Sequence, residues 1–273
     1  MHGIGNDYVY FDCFGGEDFS PESVAAFLSD RHFGVGGDGI ILVERSAIAD
    51  GKMRMFNADG SEGKMCGNGI RCVGKFLYDY KGVKKDKITV ETLSGVKTLT
   101  MQIKDGVAVG ATVDMGEPVL EPEKIPARFE KKPIVNAPLT VCGKEYRVTV
   151  LSMGNPHCVV FGADLEGLEI QTVGKAFERH EAFPDRVNTE FVRQVGNNEF
   201  EMRVWERGSG ETLACGTGAC AVAVAAVWNG YAKRGEEILV HLLGGDLTIT
   251  VTEKNVFLTG SAQTAFVGEV EIG

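Results

Sequence analysis

The pattern of apolar and polar positions along the chain predicts a fold rich in short strands, with a few helices between them. Apolar and polar residues alternate from Leu99 to Ile103, as they do in a strand with one buried face. After Cys66, apolar residues instead recur at helical spacing, and Gly82 suits a helix C-cap. This mixture indicates the α/β (or α+β) class. The predicted helices cover residues 20–28, 66–80, 173–179 and 217–228, and the predicted strands include 9–11, 40–43, 52–57, 88–93, 96–103, 107–114, 187–192, 199–206, 238–242, 247–252, 256–259 and 265–272, with further strands between 139 and 151.

The helix predicted at 217–228 is apolar on every face. Its central run, Ala219 to Val227, contains only Ala, Val and Cys. Such a helix must be surrounded by protein, because no face of it suits water. A sheet wrapped around a central helix satisfies this requirement.

The sequence contains an internal repeat at an offset of 149 positions (215 − 66). Met65-Cys66-Gly67-Asn68-Gly69 recurs as Ala214-Cys215-Gly216-Thr217-Gly218. The repeat predicts two pseudo-symmetric domains that bring two equivalent cysteines to a shared cleft, which would be the active site. Further matches at this offset are Gly5-Asn6 with Gly154-Asn155, Arg54 with Arg203, and Glu62 with Glu211.

A proline-rich segment separates the two copies. Residues 116–138 hold five of the eight prolines, which is typical of a linker. We therefore expect an N-terminal domain at 1–115 carrying Cys66 and a C-terminal domain at 116–262 carrying Cys215. The predicted final strand, 263–273, is expected to cross back to the first domain.

Composition and charge narrow the possible functions. A formal net charge of −10 without a basic cluster argues against nucleic-acid and anionic-membrane partners. The chain shows no secretory signal pattern, and its longest apolar run, 219–228, is too short for a bilayer, so we expect a cytoplasmic protein. Its seven cysteines include no Cys-x-x-Cys pair, which favours free thiols over disulfides or a metal site.

The glycine loop at 34–39 is not a dinucleotide-binding fingerprint. Its glycines at 34, 36 and 39 fit the spacing Gly-x-Gly-x-x-Gly, but the loop precedes a strand, whereas the fingerprint opens a helix. We interpret it as a turn that feeds the strand at 40–43.

Cys66 and Cys215 each stand at the predicted start of a helix. The partial positive charge of a helix N-terminus favours the thiolate form of a cysteine. The free N–H groups beside each thiol can also hold a carboxylate, which glycine lets approach closely. Two such thiols suit one reaction, in which an α-proton is removed from one face of a carbon and another is delivered to the opposite face.

Other readings of these residues remain open. A redox disulfide between Cys66 and Cys215 is the main alternative, and we expect it as an inactivating side reaction. His157 either tunes the charge of a thiol or is a structural hydrogen-bonded residue, and Glu206 either acts on an ammonium group or thiol or pairs with a neighbouring arginine, Arg203 or Arg207. Glu62 and Glu211 are expected to brace their turns. The other cysteines, Cys13, Cys72, Cys142, Cys158 and Cys220, are expected to be small buried apolar residues.

Several motifs together resemble the diaminopimelate epimerase family over nearly the whole chain. The resemblance implies a cofactor-independent isomerase without a metal, which interconverts LL- and meso-2,6-diaminopimelate. It also implies a homodimer and two pseudo-symmetric domains, each a mostly antiparallel, barrel-like sheet around a central helix. The motifs are His2-Gly3-Ile4-Gly5-Asn6-Asp7, Asp30-Arg31-His32-Phe33-Gly34, Asn57-Ala58-Asp59-Gly60-Ser61-Glu62, Cys66-Gly67-Asn68-Gly69-Ile70-Arg71-Cys72, Gly154-Asn155-Pro156-His157, and Glu206-Arg207-Gly208 through Cys215-Gly216-Thr217-Gly218.

The resemblance also implies a role for each site residue. Cys66 and Cys215 would be the two acid–base groups, and His157 and Glu206 would modulate them. Gly67, Asn68, Gly216 and Thr217 would lie at the reacting carboxylate. The remaining amino and carboxylate groups of the substrate would be held by Asn6, Asn57, Asn155, Asn188, Glu206 and Arg207.

Two positions bear on which substrate the chain accepts. Gly39 stands where some members of the family carry a side chain that reaches the substrate, so that contact is expected to be absent. Proline racemase-like enzymes of the same superfamily typically have His after the first Cys-Gly, where this chain has Asn68. Asn68 and the Glu206-Arg207 pair favour a substrate with a second charged end. An amino-acid binder or a thiol redox sensor is the alternative from another class, but a binder has no need of both thiols and a sensor has no need of the surrounding Asn and Gly residues.

Overall fold

The computed structural model describes residues 1–16 and 19–272, which divide into two compact units. Unit 1 comprises Met1–Asp114 together with the chain from Thr259 onward, and unit 2 comprises Met115–Leu258. Each unit combines a mixed sheet with two helices, so the expected α/β class is confirmed.

Unit 1 is built on a sheet in the order β9-β8-β7-β5-β4-β3, with β6 paired to β5 and β1 paired to β2 as a separate ladder. The β3–β4 and β5–β7 pairs are parallel and the others are antiparallel. The elements are β1 His2–Gly3, β2 Asn6–Asp7, β3 Val9–Cys13, α1 Pro21–Ser29, β4 Gly39–Glu44, β5 Gly51–Asn57, β6 Glu62–Gly63, α2 Gly67–Tyr80, β7 Lys87–Thr92, β8 Gly95–Lys104 and β9 Val107–Gly116.

Helix α2 begins where the sequence predicts it. Cys66 is its N-cap, in an extended conformation, and Gly82 follows the last turn with a φ of +69°, which a residue without Cβ adopts readily. Its buried face includes Ile70, Val73 and Leu77, and the helix contacts β5, β7 and β8. The apolar stripe therefore fixes the thiol end of the helix relative to the sheet of unit 1.

Unit 2 repeats this arrangement in the order β10-β11-β12-β13-β14-β16-β17-β18, with β15 paired to β14. Its parallel pairs are β12–β13 and β14–β16. The elements are β10 Ala137–Val141, β11 Lys144–Ser152, β12 Pro156–Phe161, α3 Ile170–Glu178, β13 Asn188–Gly196, β14 Glu199–Glu206, β15 Gly210–Glu211, α4 Gly216–Trp228, β16 Glu237–Leu242, β17 Gly245–Val251 and β18 Val256–Ser261. A short 3₁₀ helix, Pro122–Lys124, lies in the proline-rich segment.

Helix α4 is the core of unit 2. Every residue from Ala219 to Ala226 has an exposed fraction of zero, and the helix contacts β11, β12, β13, β16 and β17. The expectation that an all-apolar helix is surrounded by protein is confirmed.

The internal repeat extends to strand register. Ile40 pairs with Phe56 between β4 and β5, and Thr189 pairs with Trp205 between β13 and β14, which is the same pairing displaced by 149 positions. The order of elements from β3 to β9 matches that from β12 to β18. The pseudo-symmetry predicted from the sequence is therefore present in the topology.

The final strand predicted at 263–273, with its core at 265–272, is wrong. In the described part of this region the only ladder contact is an isolated bridge between Gln263 and His2, and Phe266 and Val267 are exposed. Their pattern resembles a strand, but no neighbouring strand pairs with them. Gly273, which the prediction included, lies outside the described residues.

The described helices include none with both the length and the apolar content needed to cross a bilayer.

Candidate active site

The first thiol caps helix α2 in unit 1. Cys66 is half-buried, and its sulfur accepts a hydrogen bond from the Gly69 N–H at 3.3 Å. The thiol itself donates to Asn6 Oδ1 at 3.2 Å. The hairpin of β1 and β2 thus brings Asn6 to the Cys66 thiol, 60 positions away in the sequence.

Asn6 is held in turn by charged residues around the glycine loop. Its Nδ2 donates to Asp38 Oδ2 at 2.7 Å, and Arg31 binds both Asp7 and Asp38. With Nδ2 bonded to a carboxylate, the amide of Asn6 is oriented with its oxygen toward Cys66. The loop at 34–39 therefore serves to position Asn6.

The other predicted site residues of unit 1 lie before and after Cys66 in the sequence. Gly67 and Asn68 form the first turn of α2 and are buried. Asn57 ends β5, where its Nδ2 donates to Ser61 Oγ at 3.0 Å and so joins the following turn. Its hydrogen bond to Ser61 is within the turn and does not join Asn57 to Cys66.

The second thiol caps helix α4 in unit 2, but its neighbours differ from those of Cys66. Cys215 is 4% exposed, and its thiol donates to Glu206 Oε2 at 3.3 Å. Thr212 Oγ1 donates to the other carboxylate oxygen of Glu206 at 2.6 Å, and Thr217 Oγ1 lies 3.6 Å from the sulfur. The thiol of Cys215 thus donates its hydrogen bond to a carboxylate, whereas the thiol of Cys66 donates to an amide oxygen.

The surroundings of Cys215 oppose the expected effect of the helix N-terminus, which favours the thiolate. Burial raises the pKa of the Cys215 thiol well above its ordinary value, and the nearby carboxylates of Glu206 and Glu190 raise it further. Contacts with Thr217 and the Gly218 N–H act in the opposite direction but are weaker. Desolvation and like charge thus outweigh the helix dipole, and Cys215 is a thiol at neutral pH.

Desolvation also raises the pKa of the Glu206 carboxyl group above its ordinary value. The hydrogen bonds from Thr212 and Cys215 oppose this effect, whereas the charge of Glu190 adds to it. The alternative reading of Glu206 as a salt-bridge partner is wrong, because Arg203 pairs with Glu211 and Glu206 bonds Thr212 and Cys215 instead.

His157 does not bond a thiol. Its Nδ1 lies 2.6 Å from Glu190 Oε1 and its Nε2 lies 3.0 Å from Asn155 Oδ1, so both ring nitrogens are engaged. His157 and Glu190 have exposed fractions of zero. The positive charge of a protonated His157 would favour the ionised form of Glu206, which lowers the pKa of that carboxyl group.

Asn188, the first residue of β13, lies beside Arg207, which directly follows β14. The Asn188 side-chain oxygen accepts a hydrogen bond from the Arg207 backbone N–H at 2.9 Å. The guanidinium of Arg207 donates to the Asp185 carbonyl, beside a shallow cavity of about 330 Å³ lined by Pro184, Asp185, Arg186, Arg207 and Gly208. A buried carboxylate, Glu178, supports this turn by accepting hydrogen bonds from the Trp205 indole and the Gly208 N–H.

The two glutamates that precede the thiols brace their turns, as predicted. Arg54 bonds Glu62 at 2.8 Å and Arg203 bonds Glu211 at 2.7 Å, at equivalent positions of the repeat. Cys142 departs from expectation, because it is exposed in the turn between β10 and β11 with a φ of +50°. The remaining cysteines outside the helix caps are buried, as expected: Cys13, Cys72, Cys158 and Cys220.

Sequence reasoning missed Asp38, Glu178 and Glu190, which hold predicted site residues or their neighbours in place. The sequence held a signal for Glu190, since it is the one charged residue within the predicted strand 187–192. A fully buried carboxylate is rare unless it is paired. Its partner could not be read from the sequence, because the partner depends on the register of two neighbouring strands.

Comparison with known proteins identifies the family. The family model for diaminopimelate epimerase matches residues 1–121 and 149–265. A diaminopimelate epimerase from Methanococcus maripaludis is 51% identical over 274 residues, covering 100% of this chain and 98% of the relative. Another, from Acetivibrio thermocellus, is 50% identical over 274 residues and covers 100% of this chain and 97% of its own.

Solved structures at low identity share the fold. A hydroxyproline epimerase from Agrobacterium vitis has a TM-score of 0.66 at 16% identity, covering 95% of this chain and 86% of that one. A phenazine biosynthesis protein of the PhzF family from Bacillus anthracis has a TM-score of 0.67 at 15% identity, with 96% and 93% covered. With these folds and with relatives about half identical over its full length, the chain belongs to the diaminopimelate epimerase family and is an isomerase.

Proposed function

We propose that the chain interconverts LL- and meso-2,6-diaminopimelate by two-base proton transfer between Cys66, Cys215 and one α-carbon of the substrate. The observation that carries the proposal is the repeated helix cap. Each unit has one thiol as the N-cap of a helix that begins with a glycine, at the same position of the repeat. A pair of equivalent thiols suits a reaction whose forward and reverse directions are chemically equivalent.

The helix starts supply the groups that hold the reacting carboxylate. Backbone N–H groups of Gly67 and Asn68 in α2, and of Gly216 and Thr217 in α4, belong to first turns and are not used within their helices. As the α-proton leaves, negative charge spreads onto the carboxylate, and each well-placed donor then contributes about 3 kcal/mol. This stabilisation requires no cofactor.

The surroundings of the two thiols suggest which one starts as the acid. Cys215, buried beside Glu206, begins as the thiol and delivers its proton to carbon. In that direction Cys66 starts as the thiolate and is the base. The α C–H bond breaks, its proton moves to the Cys66 sulfur, and the proton of the Cys215 S–H forms a new C–H bond on the opposite face. The enzyme then holds a thiol at Cys66 and a thiolate at Cys215, ready for the reverse direction.

Glu206 links substrate binding to the ionisation of the Cys215 thiol. An α-ammonium group bound at the Glu206 carboxylate would neutralise the negative charge that disfavours the Cys215 thiolate. Cys215 can then act as a base when the other isomer binds. This accounts for a carboxylate beside the thiol, where it otherwise hinders ionisation.

The remaining site residues are assigned to the polar groups of the substrate. We assign Arg207 to a carboxylate, because a guanidinium suits bidentate contact and its backbone is fixed by Asn188. Asn155 and Asn6 present amides whose orientations are fixed by hydrogen bonds. Asn57 completes the set, and the second charged end of diaminopimelate accounts for so many polar contacts.

The proposal extends to the cellular role expected from the sequence. The product would serve lysine synthesis, peptidoglycan precursor synthesis or both, and the enzyme would act as a cytoplasmic homodimer.

The test is an assay of purified protein with LL-diaminopimelate and with L-proline in D₂O, without added cofactor. We expect deuterium to enter Cα of diaminopimelate as the meso isomer forms, and no turnover of L-proline. Cys66→Ala and Cys215→Ala should each lose epimerisation by orders of magnitude, whereas Cys142→Ala, a control at an exposed thiol, should retain it. Full activity in either helix-cap variant would end the two-thiol mechanism.

A further inference from the structure

A buried pair of titratable side chains in unit 2 joins His157 to a carboxylate, Glu190, which has no assigned role in the reaction. His157 on β12 and Glu190 on β13 come from neighbouring parallel strands, in which His157 pairs with Asn188 and Val159 pairs with Glu190. His157 Nδ1 and Glu190 Oε1 are 2.6 Å apart, and neither side chain is exposed. The pair lies in the interior of the unit that carries Cys215.

Stability does not explain this pair. Removing a carboxylate from water is costly, and the attraction to its partner often fails to repay that cost. Glu190 Oε2 has no hydrogen-bond partner among the described residues, and a buried acceptor in this state costs about 1–3 kcal/mol. An apolar pair of similar volume would stabilise the fold at least as well.

The other unit contains such a replacement at the equivalent position. The offset of 149 relates His157 to Tyr8 and Glu190 to Ile41, and the register is the same, since Val9 pairs with Ile40 where Cys158 pairs with Thr189. Ile41 is fully buried. The fold therefore accommodates an apolar residue at this site, and the carboxylate belongs to the function of unit 2.

Glu190 connects two parts of the candidate site. On one side, His157 Nε2 bonds Asn155 Oδ1 at 3.0 Å. On the other, Glu190 lies under the first turn of α4, where a methyl group added at Gly218 would be 2.8 Å from Glu190 Oε1 and 3.2 Å from Cys215 Sγ. The carboxylate is thus close both to the Cys215 helix start and to the support of Asn155.

We propose that Glu190 is a positioning residue for the epimerase reaction, holding His157 by Nδ1 so that Nε2 fixes the side-chain amide of Asn155 beside the helix start that carries Cys215. The inference rests on the proposed function. An imidazole nitrogen that faces a carboxylate carries a proton, and the bond at one nitrogen determines what the other can do.

The consequence for Asn155 follows from hydrogen-bond chemistry. With Oδ1 accepting from His157 Nε2–H, both N–H groups of the Asn155 amide are available to an anionic group of the substrate. A rotated amide would instead present its oxygen to that group and repel it.

The electrostatics of Cys215 support the same assignment. The Glu190 carboxylate raises the pKa of the Cys215 thiol, in addition to the larger effects of burial and of Glu206. Glu190 thereby helps to keep Cys215 protonated until the substrate binds. Neutralising Glu190 should therefore change the titration of Cys215 as well as the rate of turnover.

Two variants of the full chain separate the charge of Glu190 from its shape. Glu190→Gln retains an acceptor for His157 Nδ1 but removes the charge, and the double variant His157→Tyr/Glu190→Ile installs the pair found in unit 1. Glu237→Gln, at an exposed position on β16, is the matched control that removes one surface charge. Each variant is measured for kcat, KM, thermal stability and the pH midpoint of Cys215 alkylation by iodoacetamide, read by peptide mass spectrometry.

We expect Glu190→Gln to lower kcat roughly 10- to 100-fold, which is the scale of loss when a contacting group is misplaced. The alkylation midpoint of Cys215 should move to lower pH, and the melting temperature should stay constant or rise. The double variant should be as stable as the unaltered protein and lose at least as much kcat, while Glu190→Asp, which restores the charge, should recover part of it. Glu237→Gln should match the unaltered protein throughout.

The opposite outcomes are equally clear. A Glu190→Gln protein with unaltered kcat, KM and Cys215 midpoint would overturn the proposal, as would a loss of kcat that merely follows a loss of thermal stability. If the double variant does not fold, Glu190→Gln alone decides. Absence of diaminopimelate epimerisation in the unaltered protein would refute the proposed function instead, and a shifted Cys215 midpoint would still show that Glu190 acts on that thiol.

Discussion

Replacing Glu206 by Gln removes the carboxylate that lies closest to the Cys215 thiol while keeping a side chain of the same shape. Glu206 Oε2 is 3.3 Å from Cys215 Sγ, and two unit negative charges at that distance repel by about 5 kcal/mol at an effective dielectric constant of about 20. Glu206 can itself take up a proton, so only part of this repulsion acts on the thiolate. Release of about a third of it, roughly 1.7 kcal/mol, would raise the thiolate fraction at pH 8 more than tenfold.

The assay is the rate of Cys215 alkylation by iodoacetamide between pH 6 and pH 10, with the exposed Cys142 of the same molecule as an internal reference. Peptide mass spectrometry separates the two sites. We expect the Cys215 rate at pH 8 to rise about tenfold or more in Glu206→Gln, because its pKa falls, with no change in the Cys142 rate. Glu181→Gln, at an exposed position of the same unit, serves as the matched control. An unchanged or slower Cys215 rate would show that burial alone raises the pKa of this thiol and would remove Glu206 from the account.

Three further predictions follow from burial and from glycine geometry. Burial raises the pKa of the Cys215 and Cys158 thiols well above the ordinary value, so the unfolded chain ionises first as pH rises. Above about pH 8.5 each thiol should therefore lower the free energy of unfolding by about 1.4 kcal/mol per pH unit, and Cys158→Ala should remove one share of this slope in urea titrations. Gly218→Ala should lower the free energy of unfolding in urea by about 1–3 kcal/mol, because its Cβ would lie 2.8 Å from Glu190 Oε1. Gly268→Ala, whose Cβ would have no atom within 4 Å, should lower it little, and equal stability of the two variants would contradict the close approach at Gly218. Gly39→Gln should lower the melting temperature without lowering KM, because a Cβ at this position would lie 2.0 Å from the Phe56 carbonyl oxygen. A stable variant with a lower KM would contradict this prediction and show that the site accepts a side chain.

The helices that carry Cys66 and Cys215 could be predicted from the sequence because their signals are local. Apolar spacing, the glycine-rich starts and the offset of 149 placed both helix starts within one or two residues of the bounds observed for α2 and α4. The bracing role of Glu62 and Glu211 was also predicted, since they recur at the same distance from their cysteines, but their arginine partners were not. Repetition supplied information that a single copy would lack.

The rest of the site depends on contacts distant in sequence. Glu190 meets His157 because β12 and β13 pair in one particular parallel register, which no local pattern specifies. The protonation of Cys215 depends on burial and on two carboxylates, so the helix-dipole argument alone gave the wrong sign. The final predicted strand failed for a related reason, since alternation creates a candidate strand but only a partner makes it part of a sheet.

Helix α4 has consequences for how unit 2 acquires its structure. Residues 219–227 contain only Ala, Val and Cys, so an isolated helix of this sequence would expose apolar side chains to water on every face. This helix therefore cannot form before the sheet that covers it. It must become helical as the surrounding strands close over it. The Cys215 thiol at its N-terminus therefore reaches its folded surroundings only when the sheet of unit 2 forms around the helix. A chaperone that binds unfolded copies of this chain should find a long apolar stretch directly after Cys215.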